Sequence, residues 1–167
     1  MFPTVSVTSS PEPAKFPFAA RSAATQAVRD CAGFGWAVEA TSEGVQLVTD
    51  HRIAAVELTG PLATAVRRFL RANNLSGPVI EIRDSQRREI HLVVGAAKAA
   101  KAIAMLRDAG AIVHTDGATV PLPVAGGATG WGIAPGESRW VPPLVAIAAA
   151  VRAAVTNDRA HFRSVAC

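Results

Sequence analysis

Aromatic residues are scarce in this chain, with six Phe, three Trp and no Tyr among 167 residues. Half of the residues are hydrophobic, enough for a sizeable core, but much of that half is Ala and Val. The core must therefore be built from small side chains. Cysteine is nearly absent as well. Cys31 falls in a predicted helix and Cys167 is the last residue; neither has a partner at metal-ligand spacing, which argues against a structural zinc site and fits a reducing cytoplasm. Long apolar runs are missing: Val141–Val155 is the most apolar stretch, and Arg152 and two prolines interrupt it, so no membrane span is expected. The first fifteen residues lack the basic start and apolar run of a secretory signal. Acidic residues are the last shortage, 13 against 17 Lys and Arg, for a net charge of +4 and a pI of about 9.8. That balance is enough for solubility. It permits a polyanionic partner, although strong nucleic-acid binders carry a denser basic patch.

What is present reads as one domain over residues 19–155, between a Pro-rich tail (1–18) and a polar tail (156–167). A helix is predicted from Ala19 to Ala32, stopped by Gly33 and Gly35. Trp36–Ala40 and Val45–Thr49 read as a hairpin, and Ile53–Leu58 as a third strand that extends it into an antiparallel meander. Gly60-Pro61 opens a helix with Pro at its first position, where a missing N–H is harmless. On that helix Leu62, Val66, Phe69 and Leu70 share one face, and Arg67, Arg68 and Arg71 the other. Val79–Ile82 and Ile90–Val94 are strands joined by a charged loop, and Ala96–Ala109 is a helix. Ala111–Thr115 and Ala118–Leu122 flank Asp116-Gly117, the clearest hairpin signal in the chain. Trp131–Ala134 and Arg139–Val141 flank a Pro-Gly turn, and a final helix runs from Leu144 to about Val155. Helices set among antiparallel strands predict an α+β class.

The order of four stretches over residues 33–141 resembles the N-terminal domain of bifunctional primase–polymerases, above all the short versions of high-GC Gram-positive bacteria. These stretches are Gly33-Phe-Gly-Trp-Ala-Val38, Ala54-Ala-Val-Glu-Leu-Thr-Gly60, Arg88-Glu-Ile-His-Leu-Val93, and His114-Thr-Asp-Gly117 with Val120-Pro-Leu-Pro123. Trp140 stands near the family's aromatic after a Gly turn. The resemblance implies an RRM-like catalytic core within antiparallel sheets, with flanking helices. It implies metal-dependent nucleotidyl transfer with magnesium or manganese. It also places Glu57 and Asp116 at the metal-ligand positions and His91 at the position that contacts a nucleotide's phosphates.

Chemistry tests that implication. Two-metal phosphoryl transfer needs closely spaced carboxylates holding cations about 3.5–4 Å apart. Strand positions i and i+2 share a face, which is why the family's Asp-x-Asp works. Here the pair is Glu57-x-Thr59, one carboxylate and a neutral hydroxyl. Gln86-Arg87-Arg88-Glu89 replaces the small residues that usually precede the family's His, and the long insertion before the first acidic strand is missing. The expectation is thus a non-catalytic primase–polymerase-like domain without a cofactor, acting on DNA, RNA or a protein partner in the cytoplasm. A reduced nucleotidyltransferase using Glu57, His91 and Asp116 is one alternative. A protein-interaction module using Trp131, Trp140 and the Pro-rich ends is another.

Bland readings stand beside each candidate. Glu57 is a polar residue at a strand end, His91 a half-buried strand residue, and Asp116 the first residue of a turn. Arg67, Arg68 and Arg71 are the solvated face of an amphipathic helix. Arg83, Arg87 and Arg88 sit in a loop from which arginines can reach a backbone phosphate, with Asp84 and Glu89 partly neutralising them. Residues 51–110 hold ten Lys or Arg against five Asp or Glu. Five phosphate contacts on duplex DNA would give a log–log salt slope of roughly −4 to −5. Gly126–Gly130 lacks the Lys-Ser/Thr ending of a phosphate loop and reads as a plain loop.

Overall fold

A computed structural model of the chain describes residues 18–42, 44–124 and 126–165, so all but Phe18 of the tail expected over residues 1–18, and Cys167, lie outside it. Helix α1 (Phe18–Gly33) leads through Gly35, at φ +71, into β1 (Ala37–Thr41). Strands β1 and β2 (Gly44–Val48) form the expected hairpin, with Ala37 opposite Val48. The meander does not form. Strand β3 (Ala54–Thr59) leaves β2 and enters a separate five-stranded sheet. The reason lies in its sequence: Ala54 to Leu58 are all buried, as suits a strand covered on both faces. Asp50 turns the chain between sheets, its Oδ1 accepting from the N–H groups of Arg52 at 2.7 Å and Ile53 at 3.0 Å.

Helix α2 (Gly60–Ala72) starts with Pro61 in its first turn and stops at Asn73, whose backbone N–H and side-chain amide both donate to the Phe69 carbonyl. Asn74 then takes the left-handed conformation, φ 55, which Asn tolerates at a helix end. Strands β4 (Val79–Ile82) and β5 (Arg88–Val93) follow. The helix expected over 96–109 is divided: a single 3₁₀ turn, Ala96–Lys98, precedes α3 (Ala100–Asp108).

The Asp116-Gly117 turn is present, with φ 55 and φ 89, but its flanks do not pair with each other. Strand β6 (Ile112–His114) pairs with β3, and β7 (Thr119–Pro121) pairs with β2. Each has three residues, too few for a stable isolated hairpin, and each instead extends an existing sheet. Thr49 holds the two crossings together: its N–H and hydroxyl both donate to the Ala118 carbonyl, and its carbonyl accepts from Gly117.

Strand β8 (Thr129–Ile133) contains the expected Trp131 segment. Arg139–Val141 forms no strand; the chain beyond it is held by Val94, which donates to the Pro142 carbonyl at 3.0 Å and accepts from Leu144 at 2.9 Å. Helix α4 (Leu144–Val165) runs past Val155, where a fraying tail was expected. That stretch contains no Gly or Pro to stop the backbone, and the Thr156 hydroxyl bonds back to the Arg152 carbonyl.

The sheets are β1-β2-β7 and β6-β3-β5-β4-β8, antiparallel throughout. Alternation along β3 and β5 feeds two cores. Val56, Leu58 and Val93 pack under α2, α3 and α4 with Val66, Leu106 and Ile147. Ala55, Ile90 and Leu92 face the small sheet and α1, with Leu47, Val120, Trp36 and Cys31. The architecture is α+β, as expected. Among the described residues no helix is long and apolar enough to cross a membrane.

Candidate functional site

Antiparallel register decides where the sequence-predicted residues point, because directly opposed residues share a face. Glu57 lies opposite Ile90, and His91 opposite Val56. Glu57 therefore faces the small sheet and His91 faces the helices. The two are on opposite sides of the large sheet. Asp116 lies elsewhere again. Ala55 is opposite His114, so Glu57 is two residues along β3 in one direction and Asp116 two residues past β6 in the other. Asp116 sits in the turn beyond the end of β6, outside the register that holds Glu57. The structure does not bring Glu57, His91 and Asp116 together. Among the described residues no group of three or more His, Cys, Asp and Glu is placed to hold a metal ion.

The Glu57 carboxylate, 5% exposed, already has partners. Its Oε1 accepts from Arg88 Nη2 at 2.6 Å and Nε at 2.9 Å, a forked charge-assisted contact. Its Oε2 is 3.2 Å from His114 Nε2. Arg88 also reaches Asp84 at 3.6 Å. Glu57 holds the Arg88 guanidinium above its ordinary range by hydrogen bond and charge. His114, two residues before Asp116, was legible only as part of a motif; its contact with Glu57 depends on the β3–β6 pairing.

The other face holds a second network. Glu81 and Glu89 are opposed across β4 and β5, a repulsive pair of like charges. Arg67 of α2 lies over them, its Nη1 bonded to Glu81 Oε1 and, at 3.0 Å, to Glu89 Oε1. Arg87 Nε reaches the same Glu89 oxygen at 2.6 Å. Glu89 is 0% exposed and His91 2%. His91 Nε2 stands 3.5 Å from Glu89 Oε2, beyond an ordinary hydrogen bond, and neither atom has another partner among the described residues. Burial alone pushes the Glu89 carboxyl up; His91, Arg87 and Arg67 outweigh it and bring it down to about 2. His91 is thus not the half-buried residue of the sequence reading but a core residue beneath the helices.

Above this network lies an open groove of about 450 Å³, lined by Thr64, Arg67, Arg68 and Arg71 of α2 and by Arg87 of the β4–β5 loop. Among the described residues no carboxylate lines it. Arg67, with 14% of its side chain exposed, is anchored from below, whereas Arg68 and Arg71 are exposed and meet no carboxylate among the described residues. The helical and loop arginines thus converge in part. Arg88 points to the opposite face, and Arg83 lies beside Gly130 of β8.

Gly132 marks how tightly Glu81 is held. It is the extra residue of a bulge, since Ile133 pairs with Val79 and Trp131 with Ile80. A Cβ there would stand 2.8 Å from Glu81 Oε1 and 2.9 Å from its Cγ. Elsewhere, Cys31 is a buried free thiol pushed up to about 11 by burial and by Asp30.

Comparison with known proteins finds no matching family model, no matching curated protein and no matching solved structure.

Proposed function

We propose that this chain is a non-catalytic primase–polymerase-like domain that binds nucleic acid in the cytoplasm through phosphate held in the α2–loop groove. One observation carries the reading: four guanidinium groups from two separate elements line a single open groove that contains no carboxylate among the described residues. Arginine forks match phosphate oxygens in geometry as well as charge.

Two further features favour it over nucleotidyl transfer. Glu57 is engaged by the Arg88 guanidinium and stands 3.2 Å from His114 Nε2, and Asp116 lies beyond the β3–β6 register that holds it. The element order β3-α2-β4-β5-α3-β6, with sheet order β6-β3-β5-β4, is compatible with an RRM-like core. The face opposite its helices is covered by β1-β2-β7 and α1, so an open-sheet platform is not available and the arginine groove is the better-placed surface.

The test is fluorescence anisotropy of labelled oligonucleotides across a salt series. Binding should weaken with salt, and the Arg68→Ala, Arg71→Ala double variant should lose at least about tenfold in affinity. No binding at low salt, or primer extension with manganese and nucleotides that Glu57→Ala abolishes, would overturn the proposal.

A further inference from the structure

The groove's charge is focal, and this bears on which phosphate it takes. A surface that follows a nucleic-acid backbone needs cations repeated along a track. Here the candidates for such a track are diverted. Arg88 is turned to Glu57 on the far face of the sheet, and Arg83 lies beside Gly130. Beyond Arg68 the surface between α2 and α4 continues as a trough lined by Pro61, Leu62, Ala65, Ala154 and Val155, with Arg68 its one charged residue among the described residues. Among the described residues, positive charge is concentrated at the groove and does not continue along this trough.

The amount of charge at that spot is also specific. Four arginines line the groove, and two glutamates, Glu81 and Glu89, neutralise part of it from beneath, leaving an excess of two positive charges. An internal phosphodiester carries one negative charge. A terminal phosphate monoester carries about −1.5 to −2 near neutral pH and offers three strong acceptor oxygens. Glu89 contributes order as well as charge. By bonding both Arg67 and Arg87 through one buried oxygen, it fixes a guanidinium from the helix and one from the loop at the same place. Less side-chain freedom remains to be lost when an anion arrives.

Resting on the nucleic-acid reading above, we infer that the groove formed by Arg67, Arg68, Arg71 and Arg87 is an end-reading site: it takes the terminal phosphate monoester of a nucleic acid in preference to an internal phosphodiester. The trough beside Arg68 is where the terminal nucleotide lies.

The experiment uses the full chain and matched single-stranded oligonucleotides of one sequence, carrying a 5′-phosphate, a 3′-phosphate or hydroxyls at both ends. The expected result is that one phosphorylated form binds at least about tenfold more tightly than the hydroxyl form. The same arms show which end is read. The Arg68→Ala, Arg71→Ala variant, altered at exposed positions and checked for native circular dichroism, should bind all three forms equally. An Arg83→Ala control should keep the preference. Equal binding of all three forms by the unaltered protein overturns end reading and leaves backbone binding standing. A preference that survives in the double variant overturns the assignment to this groove. No binding of any form defeats both readings together.

Discussion

Arg67 and Arg68 are neighbours in sequence with different physical tasks. Arg67 bonds two opposed carboxylates, one of them fully buried, so its removal leaves Glu89 with Arg87 as its guanidinium partner and Glu81 facing it across the strands. Arg67→Ala should therefore cost about 1.5–3 kcal/mol in unfolding free energy. Arg68→Ala, at an exposed position without a carboxylate partner, should stay within about 0.5 kcal/mol. Urea denaturation of both variants checks the contrast, and equal losses would remove the distinction between a supporting and a ligand-facing arginine. Glu89 gives a pH signature of its own. Its folded-state pKa, about 2, lies below the ordinary 4.5. Its contribution is thus fully present above about pH 4.5 and is lost as pH falls from there toward 2. The urea midpoint of the native chain should drop through that window, and the drop should shrink in Glu89→Gln. A midpoint with the same acid dependence in both proteins would show that this carboxylate is not the responsible group.

Elements here are fixed by a few tight contacts. The turn before β4 passes directly under the entry to α4: a Cβ on Gly77 would stand 2.1 Å from Pro142 Cδ and 3.2 Å from the Trp140 carbonyl. Neither a proline ring nor a backbone carbonyl can swing aside. Gly77→Ala should consequently destabilise the fold by about 1–3 kcal/mol through overpacking. Thermal unfolding measures it, and an unchanged Tm would mean that this approach is looser than described. The same scale explains the missing hairpin at Asp116-Gly117. Local turn chemistry was satisfied, yet Thr49 and the unpaired edges of β2 and β3 drew the two short strands apart.

For the whole molecule, net charge overstates what the surface can deliver. Counting residues 51–110 suggested five phosphate contacts, but several of those cations are already committed to carboxylates. With an excess of two charges at the groove, the log–log salt slope of oligonucleotide binding should be about −2, not −4 to −5. The anisotropy series described above reads this slope directly. A slope near −5 would place binding on a broader surface than the groove.

The sequence by itself determined the α+β class, nearly every strand and helix, and the residue types of the arginine groove. These depend on short-range rules: side-chain periodicity, Pro at a helix start, and Asn or Gly in left-handed turns. Only the tertiary structure decided which strands pair. That choice put Glu57 and His91 on opposite faces and carried Arg88 away from Arg87. It also set Glu81 opposite Glu89, which turned Arg67 from a solvated residue into a partly buried clamp. Strand pairing is a contest among distant edges, and adjacent residues on one strand point to opposite faces. Neither the winning edge nor the resulting neighbours can be read from spacing along the chain.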